Sequence, residues 1–418
     1  MTSRGRSRSD EVRHVLIVTN ALAPDKLGGL ERYVRELAAG LVRQGLRVTV
    51  LTKRVHPEHP AREVGPDGVA VVRHNVPSKR LRTFALRYPV HVAASIWKEV
   101  GHLEPGTVVH AHYAMPALPL ALRGIPYLYT FHAPVYREAL DERQGSYALP
   151  RVVQAPAVAS LKGAEALVVR RASRVFALSR YMQGELAQLS KRAAASSILI
   201  PGGIDTHRFS PGPAQRDDWA CGAEPLLFAA RRFTPRTGIL ELVQAMPSVL
   251  AQHPRARLAV AGEGHLMPAV EDAIRHLGLG PAVRLLGRIG DDALVNWYRL
   301  ATVSVMPTQS LEGFGLSTAE SLACGTPVVA TPLGGNLELL SSLNPHLLAR
   351  GSTPDDLSSA ICRVVDASSV LSDVRARARA HVHPSMSWDE IARRHVGHYA
   401  AAVAQRTEQA PAPISEPS

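Results

Sequence analysis

Residues 14–52 read HVLIVTNALAPDKLGGLERYVRELAAGLVRQGLRVTVLT. The run Val15-Leu16-Ile17-Val18 is continuously apolar and closes on Thr19, the pattern of a strand buried on both faces. After a loop holding Gly28-Gly29, apolar side chains recur at Leu30, Val34, Leu37, Ala38 and Leu41, one face of an amphipathic helix. Gly45 ends that helix, and Arg47-Val48-Thr49-Val50-Leu51 makes a second strand. Strand, helix, strand in so short a span is one crossover unit of a parallel sheet.

The same rhythm runs outward from this unit. Further strands are expected at Val108–His112, Tyr127–Phe131 and Arg174–Leu178. The pattern restarts after residue 220, with strands at Leu226–Ala230, Arg257–Gly262, Val283–Gly287 and Val303–Pro307. Helices are expected between them at Gly238–Leu250 and Asp291–Ala301. Turn residues and polar breaks in ILIPGGIDTHRFSPGPAQRDD mark a linker. The expectation is an α/β protein of two Rossmann-like, doubly wound parallel-sheet domains. Residues 1–13 form a basic tail, 14–200 the first domain, 201–220 the linker and 221–385 the second domain. A helix over 386–403 crosses back to the first domain, and 404–418 is a polar tail. The carboxyl ends of both sheets would face the cleft between the domains, where such sheets bind ligands.

Composition supports this and removes other classes. A chain of 418 residues is long for one domain, and 46% apolar with 20% charged residues suits a globular protein with full cores. No apolar run reaches the roughly 20 residues of a membrane span. MTSRGRSRSDEVRH is basic without an apolar run, the pattern of a disordered tail rather than of a secretory signal. Cys221, Cys324 and Cys362 are scattered without metal-ligand spacing and fit a reducing cytosol. The net charge of +12 admits nucleic acid, an anionic membrane or phosphorylated small molecules as partners. No basic motif with interleaved aromatics accompanies it, so nucleic acid is set aside. There are six lysines, none beyond Lys191, so a cation in the second half must be arginine or histidine.

The chemistry concentrates in EGFGLSTAESLACGTPVVAT, residues 312–331. Glu312 and Glu320 flank a Gly-Phe-Gly-Leu turn and the start of a short helix. The amides of such a turn and the unpaired donors of a helix N-terminus suit phosphate or sugar oxygens. Both oxygens of a carboxylate accept hydrogen bonds, so either acid can hold a vicinal diol. Glu320 has a second reading, because Ser317-Thr318-Ala319-Glu320 is also a capping-box pattern, with Ser317 as N-cap and Glu320 at N3.

This stretch resembles the acid–seven residues–acid motif of retaining glycosyltransferases of the two-Rossmann-domain (GT-B) type, particularly glycosyltransferase family 4. The segments LGGLERYVRELAAGLVRQGLRVTVLT, YTFHAP, IPGGIDTHRFSPG, VRLLGRIGDDALVNWYRLATVSVMPTQS and TPLGGNLELL resemble that family in the same order. The resemblance spans residues 14–402. It implies that Glu312 holds the donor sugar's hydroxyls and Glu320 the ribose of a nucleoside diphosphate. The amides of Phe314, Gly315 and Leu316 would face the sugar and phosphates, Gly28 and Gly29 the diphosphate, and His132 the donor near the reacting carbon. Members of the family neutralise the diphosphate with a cationic pair, where other enzymes use a metal ion. LLFAARRFTPRTG, residues 226–238, supplies Arg232 for the arginine, but the lysine position falls on Thr237, and Arg236 is the nearest substitute. Gly202 is a second departure, standing where the linker usually has Asn. His110 and His112 read as core or supporting residues.

The implied reaction is transfer of a hexosyl or N-acetylhexosaminyl unit, with retention, from a nucleotide sugar to an acceptor hydroxyl on a glycan, lipid or small polyol. A UDP-sugar is the first expectation for the donor, with no metal and no further cofactor. A non-hydrolysing sugar-nucleotide epimerase of the same architecture is the alternative. Segment 78–98 mixes Lys79, Arg80, Arg82 and Arg87 with Phe84, Tyr88 and Trp97, which reads as a packed helix with a basic face or as a patch for an anionic membrane. The expected location is the cytoplasm, with peripheral membrane contact in the second reading. Segment 133–162 would form an acceptor lip, and Asp25 and Glu31 near the glycine loop would suit a cationic or polyol acceptor.

Overall fold

A computed structural model describes residues 12–26, 28–76, 84–137 and 151–409, with side chains throughout except at 84–86, 88, 151–154 and 406–409. Eight strands form a first sheet: β1 (His14–Val18), β2 (Arg47–Lys53), β3 (Arg62–Val64), β4 (Ala70–His74), β5 (Thr107–Ala111), β6 (Leu128–Phe131), β7 (Arg174–Ala177) and β8 (Ile198–Leu199). Their order is β3-β4-β2-β1-β5-β6-β7-β8. Every pair is parallel except β3–β4. A second sheet is wholly parallel, in the order β11-β10-β9-β12-β13. Its strands are β9 (Leu226–Ala230), β10 (Arg257–Ala261), β11 (Val283–Gly287), β12 (Val303–Met306) and β13 (Val328–Ala330).

In the first sheet the chain runs outward from β1 to one edge and returns to β5 on the other side of β1. In the second it leaves from β9 and returns to β12. These two reversals, β1/β5 and β9/β12, are the places where loops diverge and leave a crevice at the carboxyl ends of the strands. Every candidate site residue lies just beyond one of these strands or the next.

Burial follows the strand alternation. Val15 and Ile17 join one apolar core, while Leu16 and Val18 join another on the opposite face. That is why the sequence of β1 is apolar without a break. The helix Gly29–Arg43 starts after Gly28, carries Glu31 in its first turn and Arg43 in its last, and stops before Gly45 at φ 86°. The expected strands lie within a residue or two of their observed bounds. Neither β3 nor β4 is among the expected strands: β3 is three residues long and exposed, with no apolar pattern to reveal it, whereas β4 carries the apolar run Ala70-Val71-Val72, its valines buried, which is a signal.

The closing helix, Trp388–Gln409, packs on the helix Gly29–Arg43. Arg43 Nε donates to Asp389 at 2.7 Å, and a β-carbon on Gly40 would meet the Trp388 carbonyl at 3.0 Å. The chain therefore passes between the two sheets twice, near 204 and near 386. The crossings are tied together by Ile204 N–H donating to Met386 O at 2.8 Å.

Candidate active site between the two sheets

From the first sheet come three loops. The loop after β1 brings Gly28 and Gly29. A β-carbon built on Gly28 would lie 2.3 Å from a Glu31 carboxylate oxygen and 3.4 Å from Nη2 of Arg232, so the arginine of the other half stands against this glycine. The strands β5 and β6 deliver three histidines. His110, fully buried, bonds Tyr399 Oη at 2.7 Å and Thr130 Oγ1 at 2.8 Å. His112 Nδ1 bonds His132 Nε2 at 3.0 Å. The His132 ring packs edge-on to Tyr33, with centroids 4.7 Å apart. Burial, and then the neighbouring rings, push His110 and His112 well below the ordinary histidine range and His132 down to about 3. All three are neutral at pH 7, so they work as oriented dipoles rather than as charges.

From the second sheet, β9 ends in Arg231-Arg232, and the two guanidiniums serve different partners. Arg231 Nη2 donates to Glu312 Oε2 at 2.6 Å and to Thr308 Oγ1 at 3.2 Å, and the Thr308 hydroxyl donates to the same carboxylate oxygen at 3.2 Å. Arg232 is exposed at the glycine loop. Arg236, in the turn Pro235–Thr237, reaches the Leu311 carbonyl with Nη1 at 3.4 Å, one residue from Glu312. Thr237, at the family's lysine position, is buried, and its hydroxyl donates to the carbonyls of Arg232 (2.5 Å) and Thr234 (2.7 Å). It holds the shape of the loop that carries the two arginines.

Glu312 follows Leu311, whose φ of 53° marks a turn held in a sparsely populated region. Gly334 and Gly335 of TPLGGN press on this turn, where β-carbons would come within 2.1 Å of Glu312 O and 2.2 Å of Phe314 O. The helix Leu316–Ala323 begins after Gly315, which has φ 91° and provides no side-chain cap. The capping-box alternative for Glu320 is therefore not realised. Ser317 lies inside the helix, its hydroxyl donating to Ala230 O at 3.3 Å, and Glu320 sits beyond N3. The uncapped end leaves amides to meet a ligand. Phe314 presents only its backbone there, since its ring is buried against Gly202, where a β-carbon would come within 2.5 Å of it. That contact explains the missing linker Asn.

Contacts between the halves complete the site. Arg32 Nη1 stands 3.2 Å from Glu320 Oε1. Ser179 Oγ donates to Gly313 O at 2.7 Å while accepting from Met182 N–H as an N-cap. Glu338 accepts from the amides of Arg180 (3.0 Å) and Tyr181 (2.9 Å). A β-carbon on Gly313 would lie 3.0 Å from His132 O, so the two loops touch. Burial lifts the Glu320 carboxyl to about 7 against the opposing pull of Arg32.

Comparison with known proteins places this geometry. Residues 27–208 match the model of Glycosyltransferase Family 4, and residues 214–381 that of Glycosyl transferases group 1. A D-inositol 3-phosphate glycosyltransferase of Actinosynnema mirum is 30% identical over 87% of this chain and 89% of its own. The chain belongs to glycosyltransferase family 4. Two solved structures share the fold of this glycosyltransferase, which is GT-B. Sucrose-phosphate synthase from Thermosynechococcus elongatus has TM-score 0.76 and 23% identity, covering 94% of this chain and 100% of the other. The Anabaena protein HepE in complex with UDP-glucose has TM-score 0.68 and 18% identity, covering 95% and 100%.

The glycosyltransferase thus brings Gly28, Gly29, Arg232, Arg236, His132, Glu312 and the Leu316 helix end close together where the two halves meet. Sequence reasoning missed Arg231, Thr308, Arg32, Ser179 and Glu338. For Arg231 a signal existed, since successive residues at a strand end point to opposite sides and an Arg-Arg pair there cannot serve one ligand alone. Asp25 is unavailable to an acceptor: it is buried and held by Arg73 at 2.6 and 3.1 Å, and Glu31 pairs with Lys26 at 3.0 Å. In segment 78–98, Lys79, Arg80, Arg82 and the side chains of Phe84 and Tyr88 lie outside the described residues. Arg87 is exposed, whereas Trp97 is packed, donating to Pro119 O at 3.1 Å beneath the Arg123 guanidinium. Of the expected acceptor lip, 138–150 lie outside the described residues. Among the described residues no helix is long and apolar enough to cross a membrane, and no group of three or more His, Cys, Asp or Glu could hold a metal ion.

Proposed function

We propose that this glycosyltransferase moves a hexosyl or N-acetylhexosaminyl unit from a nucleoside-diphosphate sugar, first of all a UDP-sugar, to an acceptor hydroxyl with retention. The observation that carries this reading is the approach of Arg232 to Gly28, opposite the uncapped Leu316 helix end, with Glu312 and Glu320 in the same loop and helix. A diphosphate suits the arginines and glycine amides, a sugar suits Glu312, and a ribose suits Glu320. HepE crystallised with UDP and UDP-glucose, and a plant starch synthase with ADP, support a nucleotide donor. The inositol-phosphate relatives favour a polyol acceptor.

In the proposed step the C1–O bond to the β-phosphate breaks as the acceptor oxygen bonds C1 from the same face. The acceptor's proton passes to the departing phosphate oxygen. Arg232 and Arg236 stabilise the charge that builds there, in the place a metal ion takes elsewhere. His132 has Nε2 engaged by His112, which leaves Nδ1 to meet the donor. Glu312 keeps one oxygen fixed by Arg231 and Thr308 and can accept sugar hydroxyls with the other. The contacts of Ser179 and Glu338 across the halves hold the crevice shut and limit hydrolysis.

Incubation with UDP-, ADP- and GDP-sugars in EDTA, with release of nucleoside diphosphate followed, tests the reading. Turnover of one donor and an NMR-assigned α-anomeric product from an α-donor are expected. No release from any donor, inversion, or strict dependence on added magnesium refutes it.

A further inference from the structure

The ion pair between Arg32 and Glu320 joins residues about two thirds of the chain apart. Arg32 lies in the first turn of the helix Gly29–Arg43, directly after the glycine loop, and Glu320 in the helix Leu316–Ala323 of the other half. The Glu320 side chain is 8% exposed and that of Arg32 31%. The acid is thus almost out of water, and the arginine reaches it from the crevice wall.

The other charged groups make this pair unequal. Asp291, 3.8 Å from the same Arg32 nitrogen, repels a charge on Glu320, and Glu36 on Arg32's own helix does the same. Arg208 of the connecting segment is spent on Asp291, and Asp205 beside it faces Glu36. Tyr298 is buried against the carboxyl, while Arg299 and Arg379 lie toward Cys324, at the far end of the helix. Burial and two neighbouring acids favour the protonated form; Arg32 first, and then the Tyr298 side chain, oppose them.

The protonation state matters because a carboxylate accepts at both oxygens, whereas a carboxyl group donates at one of them. Arg32 Nη1 stands against Oε1, and Tyr298 also supports the charged form of the carboxyl. We infer that Arg32 is a positioning residue of the nucleotide site: closing onto Glu320 from the opposite half, it keeps that group a carboxylate, the form that accepts both hydroxyls of a ribose. This rests on the reading of Glu320 as the ribose ligand. It makes recognition of the diol depend on closure, because an open crevice leaves the acid without its counter-charge.

The test is calorimetric titration of UDP, ADP and GDP, followed at pH 6 to 9 by the tightest of them and its 2′,3′-dideoxy analogue. The analogue has the same diphosphate and the same titration, so the affinity ratio reports the diol alone. In the wild type the ratio is expected to be full at pH 9 and to fall by about half near pH 7, where the Glu320 carboxyl sits. In Arg32→Met it should fall about fivefold at pH 7 and recover toward pH 9, as one pK unit of lost support on a carboxyl at about 7 implies. Arg32→Lys should restore most of it, and Arg32→Gln repeats the test should the methionine variant not fold. If Arg32→Met keeps the wild-type ratio at every pH while Glu320→Gln loses it, Arg32 is a strut alone; the proposal fails and the ribose reading stands. If Glu320→Gln also keeps the ratio, both fall.

Discussion

Arg231→Met removes the charge that fixes Glu312 and keeps the bulk of the arginine stem. The pair is 2.6 Å long with side chains 13% and 12% exposed, close to fully buried. At a charge separation of about 4 Å and an effective dielectric constant of about 20, the attraction is about 4 kcal/mol. Breaking one side of such a buried pair costs about 3–5 kcal/mol, since the remaining charge stays out of water. The residual exposure argues for the lower end, about 3 kcal/mol. Glu312→Gln leaves Arg231 in the same position, and the double variant has no stranded charge. The double-mutant cycle should therefore return a coupling of about 2 kcal/mol. Urea denaturation followed by tryptophan fluorescence reads it for the four proteins, with kcat/KM measured in parallel. A loosened Glu312 should lower kcat/KM by about a hundredfold, in the range that small misplacements cause. Nucleoside diphosphate affinity should be preserved, because the proposed binding mode sets Glu312 against the sugar and not the diphosphate. A coupling below about 0.5 kcal/mol, or equal losses in nucleotide affinity and turnover, would refute this account of how Glu312 is held.

Glu320→Gln should stabilise the unliganded protein as pH rises. The folded carboxyl sits at about 7 against an ordinary 4.5, so its stabilising contribution is full below the lower value and lost as pH climbs through the higher one, an advantage to the variant of roughly 3 kcal/mol at pH 8 that vanishes near pH 4.5. A stability difference that stays constant from pH 5 to 8 in urea melts would contradict this. Thr237→Lys, which restores the family's lysine, should lower both stability and activity by breaking the hydroxyl's bonds to two loop carbonyls. Arg236→Ala should raise the donor KM about tenfold at unchanged stability, and a wild-type KM would remove Arg236 from the site.

What could be read from the sequence is what burial writes into it. The strands β1, β5, β9 and β12 lie covered on both faces, so their apolar runs are unbroken and their ends mark the loops that carry the site. β3 has neither face covered and left no trace. Glu312, Arg232 and His132 are each placed by one strand end, and the local pattern gives them away. The partners that tune them come from far along the chain: Arg231 for Glu312 across 81 residues, Glu338 for the Arg180 amide across 158. The first depends on β9 and β12 being neighbours in one sheet and the second on how the two sheets meet, and no periodicity encodes either. The capping-box reading of Ser317 failed for a local reason: Gly315 at φ 91° starts the helix two residues before the serine.

The helix Trp388–Gln409 has a consequence for biosynthesis. It places Tyr399 on His110 and Trp388 against Tyr33, sealing a layer built on β5 and the first helix. The segment that finishes the first half thus leaves the ribosome after the whole of the second half. During translation the early strands must wait, half-covered, while later ones fold, an interval in which their bare face invites chaperones or self-association. A gene cut between the halves would not give two self-sufficient proteins.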